Sequence, residues 1–451
     1  MYIERVRVNG IRGFHGERAA DLTFPTPVDP LEGKGSWTVL AGRNGSGKTT
    51  LLRAIALGLV GPSYARHLVP DFDHWVSHDS ASGEIRATIR PDDYWDRFTQ
   101  GRRPQESFAG SLQWKRLDID RHLRESVVGP SNTSQGKGSK SPERGPWSEE
   151  TPGWYVAGYG PFRRLEGGST AAQRLTLNNG PVARLASLFD EDVSLSESVQ
   201  WLKDLLLRQR GGGSPPEEPL NFVFRILNDG LLPDGFQVSH VDADGLWVEH
   251  AGKRSALREV SDGYRTVAAL VLDLVRQLHW AGGEEALSED DRGHPRVIMP
   301  GVVLIDEVDV HLHVSWQKAI GNWLKEHFPN IQFIVSSHSP YICQSADPGG
   351  LIRLPGVNEE KSPRVVSEDL YQRIVYGSGD DALLTDLFGI DTPYSEEAER
   401  KRRRLAELER AVMRGVATSA ERDEYVRINQ LLTSSPSARV AEVAASLNRP
   451  G

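Results

Sequence analysis

The stretch "GRNGSGKTT" sets Gly42, Gly47, Lys48 and Thr49 at the spacing Gly-x-x-x-x-Gly-Lys-Thr. A backbone free of bulky side chains can turn its amides inward, and a helix start directly behind it adds unpaired N–H groups. That arrangement suits a highly charged anion. Lys48 would reach the terminal phosphates of a nucleoside triphosphate, and the Thr49 hydroxyl would ligate Mg²⁺. Asn44, Gly45, Ser46, Gly47 and Thr50 complete the cradle. The plain reading is a glycine-rich turn that matches by chance. An apolar strand pattern before it ("SWTVLAG") and a helical one after it ("TLLRAIALGLV") argue for the phosphate loop.

A second cluster ends "GVVLIDE", where a short apolar strand closes on Asp306 and Glu307. Two acids at the end of a buried strand need a reason. Asp306 beside Mg²⁺ supplies one, and Glu307 would then be the base that polarises an attacking water. The alternative is a strand end emerging into solvent. One strand later, "SSHSP" places His338 where a side chain can meet the γ-phosphate, although a lone histidine is more often structural. In "LREVSDGYRT", Ser261 and Gly263 precede a long amphipathic helix. Ser261 is either a simple cap or part of a second phosphate-facing helix start, as needed if ATP lies between two subunits.

The elements that must position these groups alternate. "YIERVRV" has period two, "NIQFIVSSHS" is a buried run like "GVVLIDE", and "SWQKAIGNWLKEHF" between them is helical. "FQVSHVDADGLWVEH" reads as a hairpin. The fold class expected is α/β. The N-terminal part with the phosphate loop spans 1–125, a Ser/Gly/Pro-rich mobile loop 126–153, and a middle lobe with a helical insertion 154–260. The remaining motifs occupy 261–355 and a helical region 356–451. The last part carries two charged helices forming a hairpin over 395–434. Their thin apolar stripe of Leu405, Leu408, Ala411 and Val412 suits packing on the parent domain or docking of a partner. The block "RKRRR" beside it could touch nucleic acid or be a solvated helix face.

Composition bounds the rest. The 451 residues are 38% hydrophobic and 25% charged, which is globular. No apolar run approaches the roughly 18 residues of a membrane span, the N-terminus does not read as a signal peptide, and Cys343 is the only cysteine. A cytoplasmic protein is expected. The net charge of −9 requires any DNA contact to use a local basic strip.

Taken together, the motifs resemble the ABC-type ATPase heads of the SMC and RecF class. "IERVRVNGIRGF" is similar to their first strand and its arginine, here Arg12. "GRNGSGKTTLL" resembles Walker A, "VSDGYRT" the signature motif, "LIDEVDVHLH" Walker B and the D-loop, and "SSHS" the H-loop. The resemblance implies a P-loop NTPase head with a mixed β-sheet, using ATP and Mg²⁺, with ATP sandwiched in a homodimer or higher oligomer. Lys48, Glu307 and His338 would be catalytic, Thr49 and Asp306 metal-binding. Arg12, Ser261 and Gly263 would contact nucleotide, the last two across subunits. "HLHVSWQKAIGNWLKEHFPNIQFIVSSHSP", "GYGPFRRL" and "LFGIDTPYS" resemble more closely a prokaryotic subset in anti-phage defence, the Septu type (PtuA) and the PARIS ATPase. Such ATPases associate with a separate effector such as an HNH-type nuclease. Two other readings stay open: a RecF-like repair ATPase acting on DNA, and a scaffold that ATP stabilises. The signature has Ser261-Asp262-Gly263 for Ser-Gly-Gly, His313 stands where the D-loop often holds Asp, and no Q-loop glutamine is placed, a role that "GYGPFRR" could take.

Overall fold

In β1 (Tyr2–Asn9) Val6 and Val8 are buried while Arg7 and Asn9 face solvent, the signature of a strand with one face on a core. β2 (Ala20–Thr23) pairs with it antiparallel. β3 (Ser36–Ala41) is buried throughout and runs into the glycine loop, from which α1 (Lys48–Leu68) rises. β4 (Ser82–Arg90), β5 (Phe108–Asp120) and β6 (Leu123–Pro130) extend the first sheet in the order β2-β1-β4-β5-β6, antiparallel throughout. The computed structural model describes residues 1–27, 34–99, 101–120, 123–130, 140–149, 151–176, 180–210, 217–232, 235–389, 392 and 394–432.

After α2 (Ser141–Arg144) comes β7 (Tyr155–Tyr159), then a helical lobe of α3 (Thr170–Gln173), α4 (Pro181–Phe189), α5 (Ser196–Arg210) and α6 (Glu217–Asn228). β8 (Gln237–Asp242), β9 (Gly245–His250) and β10 (Lys253–Ala256) form a small antiparallel sheet. The Asp242 carboxylate closes its first turn by accepting from the amides of Asp244 (2.8 Å) and Gly245 (3.2 Å). α7 (Asp262–Gly282) follows, then the ribbon β11 (Leu287–Glu289) and β12 (Pro295–Val297). β13 (Gly301–Ile305), α8 (Val314–His327) and β14 (Ile331–Ser337) make the strand–helix–strand unit expected from the sequence. α9 (Pro340–Cys343), β15 (Leu351–Arg353), β16 (Arg364–Val365), α10 (Glu368–Val375) and α11 (Gly379–Leu383) complete this part of the chain.

The second sheet has the order β16-β15-β3-β14-β13-β7, parallel from β15 to β7 with β16 antiparallel, so the core is mixed. Its register levels Ser337 with Ala41, and Ile305 with both Val335 and Tyr159. The carboxyl ends of four strands therefore meet at one edge, where a crossover sheet presents ligands. Gln332, fully buried in the central β14, stitches the two sheets together. Its amide accepts from the Ile3 N–H (2.8 Å) and donates to the carbonyls of Ile3 (2.8 Å) and Pro25 (2.9 Å).

The expected loop over 126–153 is corrected in its first part. Residues 126–130 belong to β6, because pairing with β5, from Arg116 opposite Ser126 to Leu112 opposite Pro130, outweighs a loop-like composition. Residues 140–149 include α2 and an anchored tryptophan, while 131–139 and 150 lie outside the described residues. So do Ile390, Asp391 and Pro393 of "LFGIDTPYS" and all of 433–451. The chain divides into Met1–Ala382 and Leu383–Gly451, not at 355. The reason is that β16 pairs back onto β15 across that boundary. In the second unit, α12 (Glu396–Met413) and α13 (Ser419–Leu431) form the hairpin, α13 opening on a capping box of Thr418 and Glu421. The basic block is engaged locally: Lys401 pairs with Glu397, Arg403 with Glu399, and Arg404 with Glu424. Arg402 lies 3.6 Å over Tyr394. These pairs favour the solvated helix face. Among the described residues, no helix is long and apolar enough to cross a membrane.

Candidate nucleotide-binding and catalytic site

Glycine is required twice in the loop after β3. Gly45 and Gly47 have φ of 76° and 95°, in the region side chains avoid, and a Cβ on Gly47 would lie 2.9 Å from the Phe14 ring. The Lys48 side chain is buried and donates to the carbonyls of Gly42 (3.0 Å) and Arg43 (3.3 Å), so the loop wraps its own ammonium. Burial lowers the Lys48 pKa, and Asp306, Glu307 and Asp309 partly offset this. The Ser46 hydroxyl is buried without a hydrogen-bond partner, as a donor reserved for a phosphate oxygen would be. Asn44 and Gly45 form the exposed rim, and Thr50 sits half-buried in the first turn of α1.

The acids meet this loop from β13. Thr49 Oγ1 donates to Asp306 Oδ2 at 2.7 Å. On the other side Ser336 Oγ donates to Asp306 Oδ1 and accepts from the Glu307 N–H at 2.8 Å. A hydroxyl beside a carboxylate suits a hard cation. Among the described residues no group of three or more His, Cys, Asp or Glu could hold a metal. A Mg²⁺ ion, which keeps water and phosphate oxygens in its shell, fits this two-ligand arrangement. Glu307 itself has φ 45°, a backbone state uncommon away from glycine. Burial first, then Asp306 and Asp309, raise its pKa, as suits a base, while Lys48 and Arg163 pull it down. His338 follows β14, half-buried. Burial and Lys48 lower its pKa, so the imidazole is mainly neutral at pH 7.

Two residues here escaped the sequence reading. Ser336 was hidden inside an apolar strand run, and only pairing reveals that it bridges both acids. Arg163 lies in "GYGPFRRL", just past β7, and is 3% exposed. Its Nη1 donates to the Asp306 carbonyl (3.3 Å) and its Nη2 to the Glu307 carbonyl (3.2 Å). Burial pulls the Arg163 pKa down to about 10, although Asp309, Asp306 and Glu307 support its charge. The signal in the sequence was an arginine pair directly after a strand.

Arg12, with φ 46°, lays its guanidinium 4.9 Å over Trp75. Burial and the charge of Arg53 on α1 lower its pKa, and Arg53 in turn feels Asp306. Ser261 occupies the N-cap position of α7, but its hydroxyl makes no capping bond, which corrects the simple-cap reading. The first amides of the helix go instead to the Ser261 carbonyl, from Tyr264 (3.2 Å) and Arg265 (3.3 Å), and the residue stays exposed. A Cβ on Gly263 would fall 2.5 Å from the His311 carbonyl, so glycine lets α7 close onto the loop after Glu307. The described contact of Gly263 is thus with this catalytic loop. His313 caps α8, its Nδ1 accepting from the Ser315 amide (3.4 Å). A cavity of about 590 Å³ opens here, with Arg163, Asp262, Arg265 and His311 in its wall.

Against known proteins, residues 185–344 match a family described as an AAA domain, putative AbiEii toxin, Type IV TA system. Residues 5–127 match a second AAA-domain family. The chain is 26% identical over 360 residues to the Septu protein PtuA of Bacillus mycoides, covering 78% of this chain and 40% of that protein. It is 37% identical over 108 residues to the Retron Ec83 probable ATPase of Escherichia coli, covering 24% of this chain and 18% of that protein. The chain therefore spans less than half the length of these relatives. A crystal structure of an SMC head bound to the C-winged helix domain of ScpA aligns with a TM-score of 0.44 and 15% identity, over 81% of this chain and 98% of that one.

Proposed function

We propose that this chain, which carries an α/β P-loop ATPase head similar to ATPases of anti-phage defence, hydrolyses ATP and uses its nucleotide state to govern a partner nuclease. The observation that carries the reading is the run Thr49–Asp306–Ser336–Glu307 set beside a buried Lys48. Lys48, released from the carbonyls of Gly42 and Arg43, neutralises the terminal phosphates. Thr49 and Asp306 would hold Mg²⁺, which would supply Lewis-acid stabilisation of the negative charge that develops on phosphate. Glu307 takes the proton of the water that attacks the γ-phosphorus, as the bond to the bridging oxygen breaks and ADP leaves. His338 stands at the γ-phosphate side. Ser261, whose hydroxyl makes no capping bond, and Gly263 serve the nucleotide of a second copy, so ATP closes a homodimer and hydrolysis opens it. The resemblance to Septu-type ATPases supports the cytoplasmic defence role and the nuclease partner.

The test uses the purified full chain. Lys48→Ala should abolish ATP binding in calorimetry, whereas Glu307→Gln should bind ATP within about threefold of wild type and lose at least roughly tenfold in phosphate release. Unchanged binding in the first variant, or turnover within a few-fold in the second, would remove the assignment. Co-purification with the product of a neighbouring nuclease gene tests the partner.

A further inference from the structure

Glu307 must be held in an unusual place. Its φ of 45° lies outside the ordinary strand and helix regions, and it directly follows β13, where strand pairing ends. A peptide in that state persists only if its surroundings fix it. Its N–H is tied to Ser336 Oγ. On the carbonyl side of Asp306 and Glu307, the described side-chain partner is one guanidinium, that of Arg163, and the Glu307 carbonyl also accepts from the Val310 amide at 3.1 Å. The planar fork of arginine can give one N–H to each of two consecutive carbonyls, which a lysine cannot do with the same geometry. Arg163 is 3% exposed and, among the described residues, donates to these carbonyls and to no carboxylate, while Asp309, Asp306 and Glu307 support its charge from a distance. Burying a cation is costly, and here the two carbonyl hydrogen bonds and the nearby carboxylates offset that cost.

We infer that Arg163 is the positioning residue for the catalytic carboxylate, clamping the Asp306–Glu307 backbone so that the Glu307 side chain addresses the attacking water. The inference rests on the ATPase reading above and assigns a role to one arginine of the "GYGPFRR" stretch. Arg163 also forms part of the wall of the cavity that holds Asp262 and Arg265 of α7 and His311. The clamp thus lies between the helix that begins at the signature and the residue that performs the chemistry. The split between kcat and KM and the double variant with Glu307 give readouts that a packing role would not move.

The experiment compares wild type, Arg163→Gln, Arg163→Lys and Glu307→Gln as full-length proteins, with nucleotide affinity and melting measured alongside. Arg163→Gln should lower kcat by about tenfold or more and leave KM and ATP affinity within about threefold. Arg163→Lys should recover only part of kcat, because the charge returns without the fork. Adding Arg163→Lys to Glu307→Gln should cost little more, because the group being positioned is gone. Folded single variants with wild-type kcat would overturn the inference, while the Glu307→Gln control still supports the ATPase. If wild-type hydrolysis does not depend on Glu307, the ATPase reading itself fails. Unfolding of both arginine variants would assign Arg163 to the fold and equally overturn the inference.

Discussion

Replacing Ser336 by alanine removes one oxygen that does two jobs. Ser336 is fully buried, donates to Asp306 Oδ1 and accepts from the Glu307 amide at 2.8 Å. Loss of a hydrogen bond to a charged group costs about 1.5–3 kcal/mol, and a buried N–H left without a partner costs about 1–3 kcal/mol. Allowing for partial relaxation, Ser336→Ala should destabilise the head by about 3 kcal/mol. The neighbouring Ser337→Ala is the internal control. Ser337 is equally buried, but its hydroxyl accepts one neutral bond, from the Ser339 amide at 2.9 Å, worth about 1 kcal/mol. Urea midpoints at pH 7, read with an unchanged slope, should therefore separate the two variants by about 2 kcal/mol. Ser336→Ala should also weaken Mg²⁺-dependent ATP binding, as Asp306 then keeps only the Thr49 hydroxyl. Variants that agree within about 0.5 kcal/mol, or a Ser336→Ala protein with wild-type Mg²⁺ dependence, would refute the bridging argument.

Two further outcomes concern assembly. Gly263→Ala puts a methyl 2.5 Å from the His311 carbonyl, an overpacking of about 1–3 kcal/mol that pushes α7 off the catalytic loop. ATP binding by the single chain should persist, while light scattering in a Glu307→Gln background should show the ATP-dependent dimer lost; a retained dimer would exclude Gly263 from the interface. Truncation after Pro393 should spare ATP binding and abolish the partner complex. A head that no longer folds would make the α12–α13 pair part of the core, and a fully assembled complex would remove docking from it.

The chemistry-bearing residues were legible because each sits next to a strong local pattern. An apolar strand, a required glycine pair and a helix start together announce Lys48 and Thr49, and a four-residue apolar run makes Asp306 and Glu307 conspicuous. Parallel pairing of β13 and β14 followed from the same runs. What could not be read is whatever depends on a partner far along the chain. Ser336 reads as one serine among several until β14 lies beside β13. Arg163 reads as a surface cation until β7 docks on the other side of β13 and buries it. Residues 126–130 look like linker because their strand character resides in β5, not in their own composition.

The long helix that carries Lys48 is broken at Gly61, whose φ is 82°, and Pro62 follows within it. Proline has no N–H, so the Gly58 carbonyl, four residues earlier, loses its helical donor. The Trp147 indole supplies one at 3.1 Å, and its ring fills the space a Cβ on Gly61 would need. The repair comes from 89 residues downstream. Until Trp147 has been synthesised, the Gly58 carbonyl has only water as a donor in place of the missing proline N–H. A fragment ending near residue 125 would hold the whole phosphate loop yet lack the group that completes the helix behind it. Completion of the helix behind the phosphate loop thus depends on a tryptophan in a segment whose composition resembles a spacer.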